Sequence, residues 1–271
     1  MTKIMPEIPN TSPEIELYIQ KIISLTSDST CKKIFEILER WKNWKNWTTI
    51  WASEMLDIAS NTTQWVLLND IQVISKFFEY YEKLTPSEKN EYCYHLNLNP
   101  KTLLDEKYWN ILTTILDSES NNWSDKLINI NLEIIEVDEF MYDQNSIKKL
   151  NSKIQILKEW YWVKVWIDDF PSMSNWVFTI NNIKWIDFVK FDKSIIEKYI
   201  NSKKTQDDKD ELEAILRVSI NAIKRYHWDI DIIVEWVENK KMYEYLKKEF
   251  PWISHFQWFY FWKPKELKIP Q

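Results

Sequence analysis

A chain with no glycine lacks the one residue that takes left-handed backbone conformations at no steric cost, so its tight turns and helix ends must be made some other way. Average usage would give roughly 7% glycine. This chain instead carries 17 tryptophans, and they stand where turns are expected. Trp41, Trp44 and Trp47 punctuate a polar stretch between apolar segments, and Trp236 interrupts Val-Glu-Trp-Val-Glu after a predicted strand. The reading that accounts for both anomalies is that most of these codons are UGA. The source organism would translate them as glycine, and they are rendered as tryptophan by a code in which UGA specifies that residue. A literal reading makes them a basic, aromatic surface that stacks single-stranded nucleic acid or sugars, but it leaves the missing glycine unexplained.

The length of 271 residues is ample for one large core. A net charge of −6 excludes general attraction to nucleic acid, so no DNA partner is expected. No apolar run approaches the ~20 residues a membrane span needs, and Met1 to Asn10 has no signal-peptide core. A cytoplasmic protein without membrane contact follows. Cys31 and Cys93 are too few for a disulfide framework and have no metal-ligand spacing, so they read as buried free thiols.

Residues 1–13, with Pro6, Pro9 and Pro13, read as a disordered tail, and 14–271 as a single domain. Periodicity predicts strands at Ile15 to Leu25 and Lys32 to Arg40, joined by the polar turn Thr26 to Thr30. Short helices are expected at Ser53 to Ala59 and Leu67 to Leu84, a strand at Tyr94 to Leu98 and a helix at Thr102 to Leu116. Leu127 to Ile135 alternates most clearly, with Ile128, Ile130, Leu132 and Ile134 opposite Asn129, Asn131 and Glu133. A helix from Ile147 to Glu159 leads into a strand whose Val163, Val165 and Ile167 share one face and which ends at Asp168 on the other. Further helices are expected at Val177 to Ile183, Ser194 to Ile200, Asp210 to Tyr226 and Lys240 to Phe250. The remaining strands are Ile186 to Asp192, Ile230 to Glu235 and Phe256 to Phe261. Eight strands mostly alternating with helices predict an α/β fold, a modified TIM (β/α)8 barrel with one antiparallel strand near the N-terminus.

Active sites of such barrels gather at the C-terminal strand ends. Here those ends carry Glu36, Asn97, Glu133, Asp168 with Asp169, Lys190 with Asp192, Glu235 and Gln257. Adjacent carboxylates such as Asp168 and Asp169 are relieved by solvent or by a divalent cation. A set of oxygen donors on so many strand tips favours the hard cation. Singly, Lys190 could be a surface lysine, Arg40 a partner of Glu39 or Glu36, and Gln257 a strand-edge amide. None of His95, His227 and His255 has ligand spacing, and none reads as catalytic.

At these segments the chain resembles the EAL-domain phosphodiesterases that cleave cyclic di-GMP in bacterial signal transduction. Glu36-Ile37-Leu38-Glu39-Arg40 is similar to that family's Glu-Ala-Leu-Leu-Arg signature, and Tyr18-Ile19-Gln20-Lys21-Ile22 to its preceding Tyr-Gln-Pro-Ile strand. Leu96 to Pro100 resembles Val-Asn-Leu-Ser-Pro, Leu132 to Glu136 resembles Leu-Glu-Ile-Thr-Glu, and Ile167 to Phe170 resembles the Asp-Asp-Phe segment. Val189 to Asp192 is similar to the Lys-Ile-Asp segment, Val234 to Glu238 to Ala-Glu-Gly-Val-Glu, and Phe256 to Pro264 to Gln-Gly-Tyr-x-Phe-x-x-Pro. Trp236 and Trp258 fall on family glycines, in keeping with recoding.

The resemblance implies that Glu36, Asn97, Glu133 and Asp168 bind one Mg²⁺ or Mn²⁺, and that Asp168 with Asp169 holds a second. Two such ions clamp a phosphodiester and lower the pKa of a bridging water for in-line attack, yielding linear pGpG. It further implies that Lys190 orients that water, that Glu235 and Asp169 serve the same centre, and that Gln20, Arg40 and Gln257 contact substrate. Asp192 and Glu238 complete their segments. Glu136 would anchor a loop that couples homodimer contacts to the metals. That loop departs from the family: Gly-Thr-Gly-Tyr-Ser-Ser-Leu is replaced by a run opening Pro171-Ser172-Met173-Ser174-Asn175-Trp176, and proline fixes φ and removes a donor. A catalytically degenerate EAL domain, acting as a cyclic di-GMP receptor or protein-interaction module, is therefore the alternative. Residues 1–13 are too few for a sensor domain, so regulatory input is expected from a partner, from oligomerisation or from expression level.

Overall fold

The computed structural model describes residues 15–24, 33–42, 49–50, 63–120, 127–135, 143–170, 181–191, 206–227, 229–235, 237, 239–257 and 263–267. Strand β1 (Ile15–Ser24) is antiparallel to β2 (Lys33–Lys42), in register from Ile15↔Trp41 to Ile22↔Ile34. From β2 the sheet continues in parallel through β4 (Tyr92–Leu98), β5 (Ile130–Ile135), β6 (Lys164–Phe170), β7 (Phe188–Phe191), β8 (Asp231–Val234) and β9 (His255–Gln257). Strand β9 then pairs antiparallel with β1, which closes an eight-strand barrel with β1 as its reversed member. This is the expected barrel. Two-residue strands β3 (Thr49–Ile50) and β10 (Lys265–Glu266), which the periodicity does not reveal, flank β2 and β1 from outside the ring.

Alternation along the strands sorts the chain into two cores. Outward-facing Ile37, Leu96, Leu132, Val165, Val189 and Val234 pack against the helices. The inward-facing set is smaller: Ile22, Ile34, Cys93, Trp166, Phe188 and Ile233 fill the barrel beneath its mouth. The helices are α1 (Thr63–Tyr81), α2 (Pro86–Glu91), α3 (Pro100–Leu104), α4 (Glu106–Glu119), α5 (Gln144–Tyr161), α6 (Gln206–Tyr226) and α7 (Lys240–Glu249). Five of them start on capping side chains, Thr85, Asn99, Asp105, Asp143 and Asn239, each accepting from backbone N–H of the first turn.

Three expectations change. The single helix Thr102 to Leu116 is two, because Asp105 leaves helical geometry (ψ 119°) and caps α4 through Lys107 and Tyr108. The α2 turn, opened by a Thr85/Glu88 capping box, was not anticipated. Cys93 is in a disulfide and not a free thiol. The chain's other cysteine, Cys31, lies outside the described residues. Cys93 sits beside Ile34 across the β2–β4 pair. The tail 1–13, the turn 26–30, the predicted helices Ser53 to Ala59 and Ser194 to Ile200, and residues 258–261 of the last predicted strand also lie outside the description. Of the predicted helix Val177 to Ile183, only 181–183 lie within it.

Candidate functional site

The inward-facing residues one step above the apolar plug are almost all polar. Glu36 on β2, Asn97 on β4, Glu133 on β5, Asp168 on β6 and Lys190 on β7 are brought to one level by the parallel register, in which Asn97 lies beside Glu133. Glu235 follows the last residue of β8, and Gln257 ends β9. Because β1 runs in reverse, Gln20 meets Glu36 from the other side. Between the pairs Ile167↔Val189 and Phe170↔Phe191 the β6–β7 register shifts, so Asp168 and Asp169 together stand against Lys190 alone. Such a bulge re-aims a side chain at a strand end.

The Lys190 ammonium is the hub. It is 1% exposed and lies 2.8 Å from Glu133, 2.9 Å from Glu235, 3.2 Å from Asp168 and 3.6 Å from Glu36. Glu36 accepts from Asn97 Nδ2 at 3.1 Å through one oxygen and from Gln257 Nε2 through the other. Behind Glu133, His95 Nδ1 contacts Oε1 at 2.6 Å, and Asn131 Nδ2 contacts His95 Nε2 at 2.7 Å. Arg40, two steps up β2 from Glu36 on alternate positions, lies over the Tyr18 ring at 5.9 Å and donates to the Glu39 carbonyl at 2.6 Å.

Electrostatically this cluster is short of positive charge. Burial pushes Glu133 well above the usual carboxylate range, with Lys190 opposing. Burial likewise raises Glu235 to about 8 against the same ammonium. On Lys190 itself burial disfavours the charge, but Asp168, Glu133, Glu235 and Glu36 together outweigh it and hold the pKa well above that of an ordinary lysine. Four carboxylates thus share one ammonium. One oxygen each of Glu36, Glu133 and Asp168 lie within 4.8 Å of one another. Asn97 Oδ1, Gln257 Oε1 and Gln20 Nε2 are buried with no hydrogen-bond partner among the described residues. Three carboxylates and an unsatisfied amide oxygen are the donor set of a hard divalent cation, so the residues present fit such an ion.

The chain matches the EAL domain family over residues 9–251. It belongs to that family. EAL domains are in general cyclic di-GMP phosphodiesterases that use divalent metals, and some members have lost activity. Among solved structures, this EAL domain is similar to the FimX EAL domain of Pseudomonas aeruginosa bound to cyclic di-GMP, with 19% identity, a TM-score of 0.70, and 93% of this chain and 90% of that one covered. It is also similar to the phosphodiesterase PaMucR in its cyclic di-GMP complex, at 17% identity and TM-score 0.70 over 92% and 91% of the two chains. An EAL-domain protein from Listeria monocytogenes aligns at 20% identity and TM-score 0.61 over 92% and 88%. At such identities the likeness establishes the barrel. No curated protein sequence matches the chain.

Of the residues singled out in the sequence, Glu36, Asn97, Glu133, Asp168, Lys190, Glu235, Gln20 and Gln257 converge, and Arg40 stands above them. Asp169 ends the β6 bulge, with its side chain outside the description. Glu136, Asp192 and Glu238 lie outside it altogether. His95, which reads as non-catalytic in the sequence, and Asn131, which reads only as a polar strand position, stand behind Glu133. Period-two spacing places them two residues before Asn97 and Glu133 on the same inward face, and that was the available signal.

Proposed function

We propose that this EAL domain hydrolyses cyclic di-GMP to linear pGpG. The observation that carries the reading is the convergence of four carboxylates on Lys190 beside the unsatisfied Asn97 oxygen. Glu36, Asn97, Glu133 and Asp168 would hold one Mg²⁺ or Mn²⁺, and Asp168 with Asp169 a second. When bound, such ions stabilise charge on the phosphodiester and lower the pKa of a coordinated water. The protein's own groups do the rest. Glu235, 2.9 Å from the Lys190 ammonium at the same mouth, is placed to receive the proton that the attacking water gives up. The three N–H groups of Lys190 face four carboxylates, so it orients the water while damping their repulsion. Gln20 and Gln257 bring unsatisfied amide atoms toward the substrate side, and Arg40 suits a phosphate oxygen. A homodimer completes the reading, tested by light scattering on the purified chain. Turnover of cyclic di-GMP with Mn²⁺ or Mg²⁺, abolished by chelator, is the direct test. Binding without product at saturating metal would replace the enzyme by the receptor alternative, which the Pro171 departure favours.

We also infer that the tryptophans at helix ends and turns are glycine in the native protein. The two residues with positive φ among those described are Trp162 (61°) and Trp185 (69°). Trp162 occupies the left-handed position that ends α5, where a side chain costs about 1–2 kcal/mol and glycine nothing. Both rings are about half exposed, at 48% and 49%. Intact mass of the native protein, or the codons themselves, tests this; UGG at residues 162 and 185 would overturn it.

A further inference from the structure

Glu133 is completely buried, and its two oxygens have different neighbours. Oε2 lies 2.8 Å from Lys190, facing the cluster, and Oε1 lies 2.6 Å from His95 Nδ1, facing away from it. The short contact ties the ring nitrogen to one carboxylate oxygen and leaves the other oxygen to the cluster. The other ring nitrogen lies 2.7 Å from Asn131 Nδ2, so the imidazole is held at both nitrogens. His95 and Asn131 are Cα partners across the β4–β5 pair, and the imidazole reaches diagonally up to Glu133, two residues further along β5. Both rest against the apolar plug of the barrel: the His95 ring is fully buried and packs edge-on to Trp166 at 3.6 Å. A buried glutamate free to rotate could turn either oxygen, or both, toward a cation.

We propose that His95 is a positioning residue for Glu133. Braced by Asn131, it fixes one carboxylate oxygen so that the other alone is presented to the metal position. The inference rests on the metal-site reading above. Partners of this kind typically change metal affinity by about 10–100-fold when removed.

The test is Mn²⁺ binding by calorimetry without substrate, on the full chain and on His95→Leu, His95→Asn and Asn131→Leu. Leucine keeps the volume and deletes the hydrogen-bonding nitrogens, whereas an asparagine amide can offer a polar atom close to where Nδ1 was. His95→Leu is expected to bind Mn²⁺ about 10–100-fold more weakly, with His95→Asn within about threefold of the parent. Parent-like affinity in His95→Leu, or equal weakening in both His95 variants, would overturn the proposal. Should His95→Leu fail to fold, Asn131→Leu decides, since it removes the brace and touches no carboxylate: weakened binding supports the proposal and unchanged binding defeats it. If the parent chain itself binds no Mn²⁺, the metal-site reading fails. If the parent binds and the variants match it, only the role of His95 fails.

Discussion

Replacing Lys190 by methionine removes a buried charge while keeping nearly the same volume, and leaves Glu36, Glu133, Asp168 and Glu235 around an uncharged chain. Their contacts with the ammonium, 2.8 to 3.6 Å, are close enough that each carboxylate loses a direct partner. Breaking a buried ion pair in this way costs about 3–5 kcal/mol. For a chain of this length the unfolding entropy is roughly 0.57 kcal/mol per kelvin, so the midpoint in chelator at pH 8 should fall by about 5–9 °C. The size of the fall must depend on protons. Glu133 and Glu235 already sit above the usual carboxylate range because of burial. Lowering the pH favours their neutral forms, so the loss should be smaller at pH 5. Saturating Mn²⁺ at one hundred times its dissociation constant adds about 2.7 kcal/mol to whichever chain binds it. Thermal unfolding followed by circular dichroism, at both pH values with chelator and with Mn²⁺, reads all of these. A Lys190→Met protein whose midpoint in chelator at pH 8 lies within a degree of the parent would refute the electrostatic picture of the cluster.

Glu36→Ala should lower cyclic di-GMP hydrolysis by at least about 100-fold and weaken Mn²⁺ binding, since Glu36 joins Asn97, Gln257 and the cluster; full activity in a product assay would remove it from the site. Burial raises Asp70 to about 7 against the hydrogen bonds from Thr102 and Asn99. The folded state therefore holds this proton more tightly than the unfolded one, and stability is lost as pH rises from about 4 through 7, by up to roughly 1.4 kcal/mol per pH unit. Asp70→Asn should flatten that slope in urea midpoints taken at pH 5, 6, 7 and 8, and an unaltered slope would contradict the assignment. Trp162→Gly should raise the stability of the tryptophan-bearing chain by about 1–2 kcal/mol; a loss in the same urea titration would argue that tryptophan belongs there.

The sequence shows its strands where one face must be apolar and the other polar. Leu127 to Ile135 displays that alternation openly, and the structure turns Leu132 and Ile134 to the helices and Glu133 to the mouth. The tips were legible for the same reason, because Asp168 breaks an apolar period. The bulge at Asp168 and Asp169 was not, since a register shift between parallel strands leaves no mark on either strand alone. His95 was hidden because a lone histidine looks the same whether it faces solvent or a carboxylate on the next strand. The disulfide at Cys93 escaped for a related reason: the local sequence around a cysteine does not show whether it is bonded. Asp105 fits a helical period, but its carboxylate caps α4 and breaks the helix.

The reversed first strand has a practical corollary. In a uniformly parallel barrel the chain would enter at the floor, far from the chemistry, whereas here Ile15 starts beside Trp41 at the rim, and roughly 17 Å of strand carries it down to Gln20. Leu267 returns to the same rim, donating to the Leu17 carbonyl at 2.7 Å. Affinity tags or fluorescent fusions joined close to Ile15 or Leu267 therefore attach beside the mouth that carries the polar cluster, and long linkers or cleaved tags are the appropriate design for kinetic work.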